Sequence, residues 1–170
     1  KLALDYFDNI TIDLIYGSPG LTNEKWKENV QTAIQLGIPH LSCYALTVEP
    51  KTPLDKLIRL QQKADVDPDA QSAQFLLLME WMAAAGYEHY EISNFAKPGW
   101  RSKHNSAYWQ GKTYLGLGPA AHSFNGHERQ WNVSNNNLYV AAIQKGELPI
   151  ETETLTPDQQ INEYVMPALR

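Results

Sequence analysis

The 170-residue sequence holds a single cysteine, Cys43, so it can form no internal disulfide and supply no multi-cysteine metal cluster by itself. No H-x-x-H, paired-cysteine or D-x-D pattern offers a dedicated metal site, and no nucleophile elbow of a Ser-His-Asp hydrolase precedes a helix. Apolar runs stay well short of the roughly 20 residues that cross a bilayer. The N-terminus also lacks the basic-then-apolar layout of a signal peptide. A cytoplasmic chain without membrane contact is therefore expected. Basic residues are in deficit, 14 Lys and Arg against 19 Asp and Glu, giving a formal charge of -5 that disfavours a nucleic-acid backbone as partner. A small molecule is the expected partner instead.

The hydrophobic content of 43% and charged content of 19% are ordinary for a soluble globular chain, and the length suffices for a real core. From Asn9 to Gly17 a β-branched run followed by Ser-Pro-Gly predicts a buried strand and turn, with Thr11, Asp13 and Ile15 opposite Ile10, Ile12, Leu14 and Tyr16. Asp13 is the anomaly, because a carboxylate in an apolar strand needs either a partner from elsewhere in the chain or a ligand. The next segment predicts a helix with Thr22 as N-cap, Trp26, Val30, Ala33 and Ile34 on its buried face, and Gly37 as stop. A second strand, HLSCYALTVE, completes a βαβ unit with parallel strands, whose ligand edge lies beyond the carboxyl ends at 16–20 and 47–52. Within it Cys43 reads as a buried small residue rather than a nucleophile.

A short helix after Lys51 and a longer one from Asp67-Pro68 to Gly86 follow, the latter with Phe75, Leu78, Met79 and Met82 as an apolar stripe. YEHYEIS predicts a strand, NFAKPGWRSKHN a loop, and TYLGLG another short strand. ERQWNV predicts a strand, SNNNLYVAAIQKG a capped helix, LPIETETL an extended run, and Thr156 to Gln159 a capping box.

The stretch 90–126 concentrates aromatic, glycine and histidine residues that core packing alone does not explain. If a helix starts near Lys103, His104 and Tyr108 share a face with Trp109 beside them. An imidazole against an aromatic wall suits a flat metal-bearing macrocycle, though a hydrogen-bonded structural histidine fits the same residues. His122 is a second candidate for a polar ligand contact, whereas His40 and His89 read as structural.

Five segments occur in order: IDLIYGSPG (12–20), LSCYALTVEPKTPL (41–54), YEISNFAKPG (90–99), HNSAYW (104–109) and YLGLGPAAHS (114–123). Together they resemble the radical S-adenosylmethionine family of oxygen-independent coproporphyrinogen III oxidases, in particular its haem-chaperone branch. The resemblance implies an α/β fold, the C-terminal part of a partial (β/α) barrel with parallel strands, plus a sheet extension and C-terminal helices. It divides the chain at 1–86, the second half of the barrel, and 87–170, the sheet extension and the start of a helical region. It implies that S-adenosylmethionine contacts Asp13, Ile15, Ala45 and His122. Haem would be held by His104, Asn105, Tyr108 and Trp109, with His104 on the iron. The family's CxxxCxxC motif for a [4Fe-4S] cluster is absent from this sequence, so no catalytic residue and no independent activity are expected of it. The implied function is haem binding and transfer to an acceptor protein. The alternative is oxidative decarboxylation of coproporphyrinogen III in porphyrin biosynthesis, and a blander one is a half-barrel whose 90–126 stretch only closes the core.

Overall fold

In the computed structural model, which describes residues 1–168, the first predicted strand forms β1 (Thr11–Tyr16) and the helix after it α1 (Asn23–Gln35). Thr22 caps α1 by accepting from the Lys25 amide, and Gly37 turns the chain out of it at φ +71°. β2 (His40–Ala45) then pairs parallel to β1, with Asp13 opposite Ser42 and Tyr16 opposite Ala45. This is the expected βαβ unit. α2 (Pro53–Arg59) and α3 (Pro68–Ala84) follow, each starting with proline behind a capping side chain, Thr52 and Asp67.

The chain past Gly86 departs from expectation. Only β3 (Glu88–His89) is extended in YEHYEIS, while β4 (Asn94–Ala96), expected as loop, is a strand antiparallel to both β2 and β3. A bend at residues 91–93 makes the difference, because the Glu91 carboxylate accepts from the Ser93 amide and the Asn94 side chain and turns the chain back onto β2. The sheet order is β1-β2-β4-β3, parallel in its first pair and antiparallel beyond residue 86.

One face of this sheet is the core. Leu41, Cys43 and Phe95 pack with Trp26, Val30 and Ala33 from α1 and with Leu78 and Met82 from α3. The helices therefore cover a single side of the sheet, as in half of a β/α layer. α3 also carries the buried Gln74, 1% exposed, which accepts from the Gly17 amide at 2.8 Å and donates to the Leu21 carbonyl at 2.9 Å. Its neighbour Gln71 donates to the Leu46 carbonyl and lies so close to Gly17 that a Cβ there would fall 2.1 Å from its Cγ. The loops after β1 and β2 are thus tied to one helix.

The chain divides into two compact units, residues 1–102 and 103–170. In the second, α4 (Lys103–Trp109) precedes an antiparallel sheet of β5 (His122–Phe124), β6 (Glu128–Asn132) and β7 (Ile150–Thr154), with α5 (Asn136–Gln144) and α6 (Pro157–Ala168). TYLGLG forms no strand of its own beyond a bridge between Tyr114 and Phe124. Side chains satisfy its backbone instead: the Gly116 amide donates to Ser123, the Gly118 amide to the Tyr139 hydroxyl, and Asn132 donates to the Gly118 carbonyl. A Cβ at Gly116 would sit 2.2 Å from the His122 carbonyl oxygen, so only glycine allows this approach. The Thr156–Gln159 capping box is present, each side chain meeting the other's backbone amide. Among the described residues no helix is long and apolar enough to cross a membrane.

Replacing Gln74 with leucine keeps its bulk and strands the Gly17 amide and Leu21 carbonyl in the interior. Urea unfolding is expected to show a loss of about 2–4 kcal/mol, the cost of orphaning two buried groups, and a loss under 1 kcal/mol would refute the clamp.

Candidate functional site

The side of the first sheet turned away from the helices is polar. By register it carries Thr11, Asp13 and Ile15 of β1, His40, Ser42 and Tyr44 of β2, and Asn94 and Ala96 of β4. Asp13, Ser42 and Asn94 are opposite one another and form a row across three strands. Burial grades along it: Asp13 is exposed, while Ser42 and Asn94 are each 4% exposed. Among the described residues the Asp13 carboxylate has no ion pair, so the partner that the sequence left open is not a lysine or arginine of this unit.

One step toward the amino ends of the strands, His40 is held at both ring nitrogens. Nδ1 lies 2.7 Å from Thr11 Oγ1 and Nε2 2.7 Å from the Tyr90 hydroxyl, which also accepts from the Ser102 amide. Tyr90 donating to Nε2 and Nδ1–H donating to Thr11 satisfies all three groups with a neutral imidazole. Burial pushes the imidazole below its ordinary value, against the opposite pull of Asp13 and Glu91. Burial likewise pushes the Tyr90 phenol up. On the core side, burial and then the Asp13 charge push the Cys43 thiol up to about 12, which leaves it a packing group and no nucleophile.

Of the expected S-adenosylmethionine contacts, Asp13 and Ile15 lie two apart on the polar face, and Ile15 is 52% exposed. Ala45 ends β2 beside Tyr16 and is exposed. His122 opens β5 in the second unit, its ring 6.1 Å from that of Trp131. His40 is a hydrogen-bonded structural residue, as expected, and the members of the polar row that sequence reasoning missed are Ser42 and Asn94. The alternation of HLSCYA puts His40 and Ser42 on one face, a signal that could have found Ser42. Asn94 falls in NFAKPGWRSKHN, whose composition predicts a loop.

In the second unit the helix expected near Lys103 exists, and His104 and Tyr108 share a face, their rings edge-to-face with centroids 5.0 Å apart. Tyr108 meets Tyr114 at 4.8 Å, and Tyr114 meets Phe124 at 6.1 Å. An exposed imidazole therefore leads into a continuous aromatic row. Asn105 is half-buried and Trp109 is 38% exposed on the same helix.

The chain is 38% identical over 144 residues to Heme chaperone HemW of Mycobacterium tuberculosis, covering 85% of this chain and 37% of that protein. It is 38% identical over 166 residues to Heme chaperone HemW of Bacillus subtilis, covering 96% of this chain and 44% of that protein. Its fold matches the structure described as "Coproporphyrinogen III oxidase (HemN) from Escherichia coli is a Radical SAM enzyme", with a TM-score of 0.79 over 98% of this chain and 41% of that one. A Mus musculus relative, "Radical S-adenosyl methionine domain-containing protein 1, mitochondrial", is 36% identical over 113 residues, 66% of this chain and 26% of that protein. The chain belongs to the HemW branch of the radical S-adenosylmethionine family. No protein-family model matches it. At 20% identity the HemN likeness establishes the fold, the C-terminal part of a partial (β/α) barrel with its sheet extension. The chain spans less than half the length of the HemW relatives it matches.

The residues present fit one of the family's cofactors and not another. The open acceptor Asp13 and the buried Asn94 Oδ1, which has no hydrogen-bond partner, suit a donor-rich molecule such as S-adenosylmethionine. A [4Fe-4S] cluster finds no site, since there is one cysteine, it is buried, and no group of three or more metal-ligating side chains occurs among the described residues.

Two consequences are measurable. Below a pH of about 6.5 the unfolded His40 takes up a proton that the folded ring resists, so folding stability drops as pH falls through that value. Urea midpoints at pH 7.5 and 5.5 should show this drop shrinking in His40→Gln; an unchanged pH difference would mean His40 carries none of it. Cys43 should resist iodoacetamide at pH 8 in native protein and react once urea unfolds it, and rapid native labelling would contradict its burial.

Proposed function

We propose that this chain is the C-terminal part of a cytoplasmic haem chaperone, which in its complete form binds S-adenosylmethionine, a [4Fe-4S] cluster and haem, and hands haem to an acceptor protein. The observation that carries the haem reading is the exposed His104 at the head of the Tyr108–Tyr114–Phe124 row. The names of the relatives agree with it.

Haem, when bound, would supply a Lewis-acidic iron and a broad apolar ring. His104 offers a ring nitrogen from a helix that fixes its direction, and the T-shaped contact with Tyr108 limits the rotation of the imidazole. Tyr108 and Trp109, 43% and 38% exposed, offer flat apolar surface for the macrocycle, and Asn105 completes the group. On the first unit, Asp13, Ile15 and Ala45 would meet S-adenosylmethionine. Asp13 accepts from hydroxyl or ammonium donors, and Ile15 gives an apolar surface for a purine ring. In this reading residues 1–86 are the second half of the barrel and 87–170 its extension. The cluster is held by residues outside this sequence.

The oxidase alternative needs more cations than the chaperone, because coproporphyrinogen III carries more propionates than haem. Arg59, Arg101 and Arg129 are each paired already, with Asp55, Glu88 and Glu163. This weighs toward the chaperone.

Haemin titrated into the full-length protein is expected to give a Soret shift that weakens about ten-fold or more in affinity in His104→Ala, the scale of losing one directional contact of about 1.4 kcal/mol. A variant with unchanged spectrum and affinity would remove His104 as ligand. Turnover of coproporphyrinogen III by the cluster-loaded protein would favour the oxidase.

A further inference from the structure

Asn94 presents a problem of hydrogen bonding that the rest of the sheet does not share. Its amide nitrogen donates to the Glu91 carboxylate, yet its Oδ1 is fully buried without any partner. Most buried polar atoms in folded proteins are paired, so an orphan on a ligand-facing surface marks either a cost or an expected guest. The surroundings favour a guest. Ser42 lies beside Asn94 and Asp13 beside Ser42, in one cross-strand row. Neighbouring strands are about 4.8 Å apart, so the row spans about 10 Å, too long for a single ion. Its atoms are acceptor-rich, and two carboxylates flank it, Asp13 at the open end and Glu91 behind Asn94, neither in an ion pair among the described residues.

We propose that Asp13, Ser42 and Asn94 form one continuous acceptor strip, and that Asn94 binds a donor group of S-adenosylmethionine at the buried end of a site that Asp13 opens. This rests on the reading that the cofactor lies on this face. The molecule suits the strip by chemistry: it offers N–H donors from the purine amine and the ammonium, O–H donors from the ribose, and a positive sulfonium near two carboxylates. Burial makes Asn94 effective. Its Oδ1 has already lost water in the folded protein, so a ligand donor that displaces the atoms covering it gives up no hydrogen bond to solvent there and gains a full one. Entry is from the β1 side, where Asp13, Ile15 and Tyr44 are exposed. Ser42, between the two acceptors, can donate to either or accept from the ligand.

Calorimetric titration of S-adenosylmethionine into the full-length, cluster-loaded protein tests this, with haem affinity as a second readout. Asn94→Ala is expected to weaken S-adenosylmethionine binding about ten-fold and leave haem affinity as in the wild type, and Ser42→Thr, whose added methyl intrudes on the strip, to weaken it likewise. Loss in Asp13→Asn with full affinity in Asn94→Ala would overturn the strip while leaving the cofactor on this face. Full affinity in all three variants would remove the cofactor from the face altogether. Equal losses of haem and S-adenosylmethionine affinity would show general damage and also refute the proposal. Should Asn94→Ala fail to fold, Ser42→Thr decides by the same criteria.

Discussion

The register of β1 against β2 is the constraint on which the first unit depends. With Asp13 opposite Ser42, every polar residue of the two strands faces away from α1 and α3, and Leu41 and Cys43 face toward them. A slip of one residue would exchange the faces of β1 and drive the Asp13 carboxylate toward Trp26 and Leu78. The helices enforce the choice, because Tyr16, Trp26, Leu78 and Met82 leave no room for a charge, each being 8% exposed or less. The sheet's two unlike sides follow from this single pairing. One stabilises the fold, and the other is left free to carry chemistry.

Gln74 extends the same logic to the carboxyl edge. A buried amide on a helix is costly unless both its ends are used, and both are, by the Gly17 amide and the Leu21 carbonyl. Its backbone carbonyl further accepts from the Trp26 indole, so loop, α1 and α3 meet in one residue. Gly17, at φ +71° and against Gln71, lets the loop pass close enough for these bonds to form. The loop after β1 is thereby held rigid where barrels of this kind place their ligands.

What the sequence disclosed divides by distance along the chain. Thr22, Asp67-Pro68 and the Thr156–Gln159 box act within four residues of themselves, and each was readable as a cap. The alternation that turned Asp13 away from Ile12 and Leu14 was readable as well, since strand geometry alone decides it. The partners of His40 were not, because they stand 29 and 50 residues away. The strand Asn94–Ala96 was hidden for a related reason. Three residues next to a proline and a glycine carry no periodicity, and only the Glu91 bend, a tertiary arrangement, presents them to β2. The motif at 104–109 was legible as a helix face, while the continuation of its aromatic row through Tyr114 to Phe124 required the bridge between those two residues.

The two candidate surfaces differ in how they are prepared. In the second unit, His104 and Tyr108 are exposed and already in contact with each other and with the half-buried Tyr114, so a large apolar ligand would gain contact area on a preformed surface. In the first unit the acceptors are fixed by a sheet and one of them has been stripped of water with nothing in return. A surface of the first kind tolerates exchange, because what holds the ligand is broad and each contact is weak. A surface of the second kind discriminates, because a ligand lacking the matching donor leaves the buried oxygen as it was and gains nothing from it. The two surfaces therefore differ in the kind of ligand they favour, a large apolar one on the second unit and a small donor-bearing one on the first.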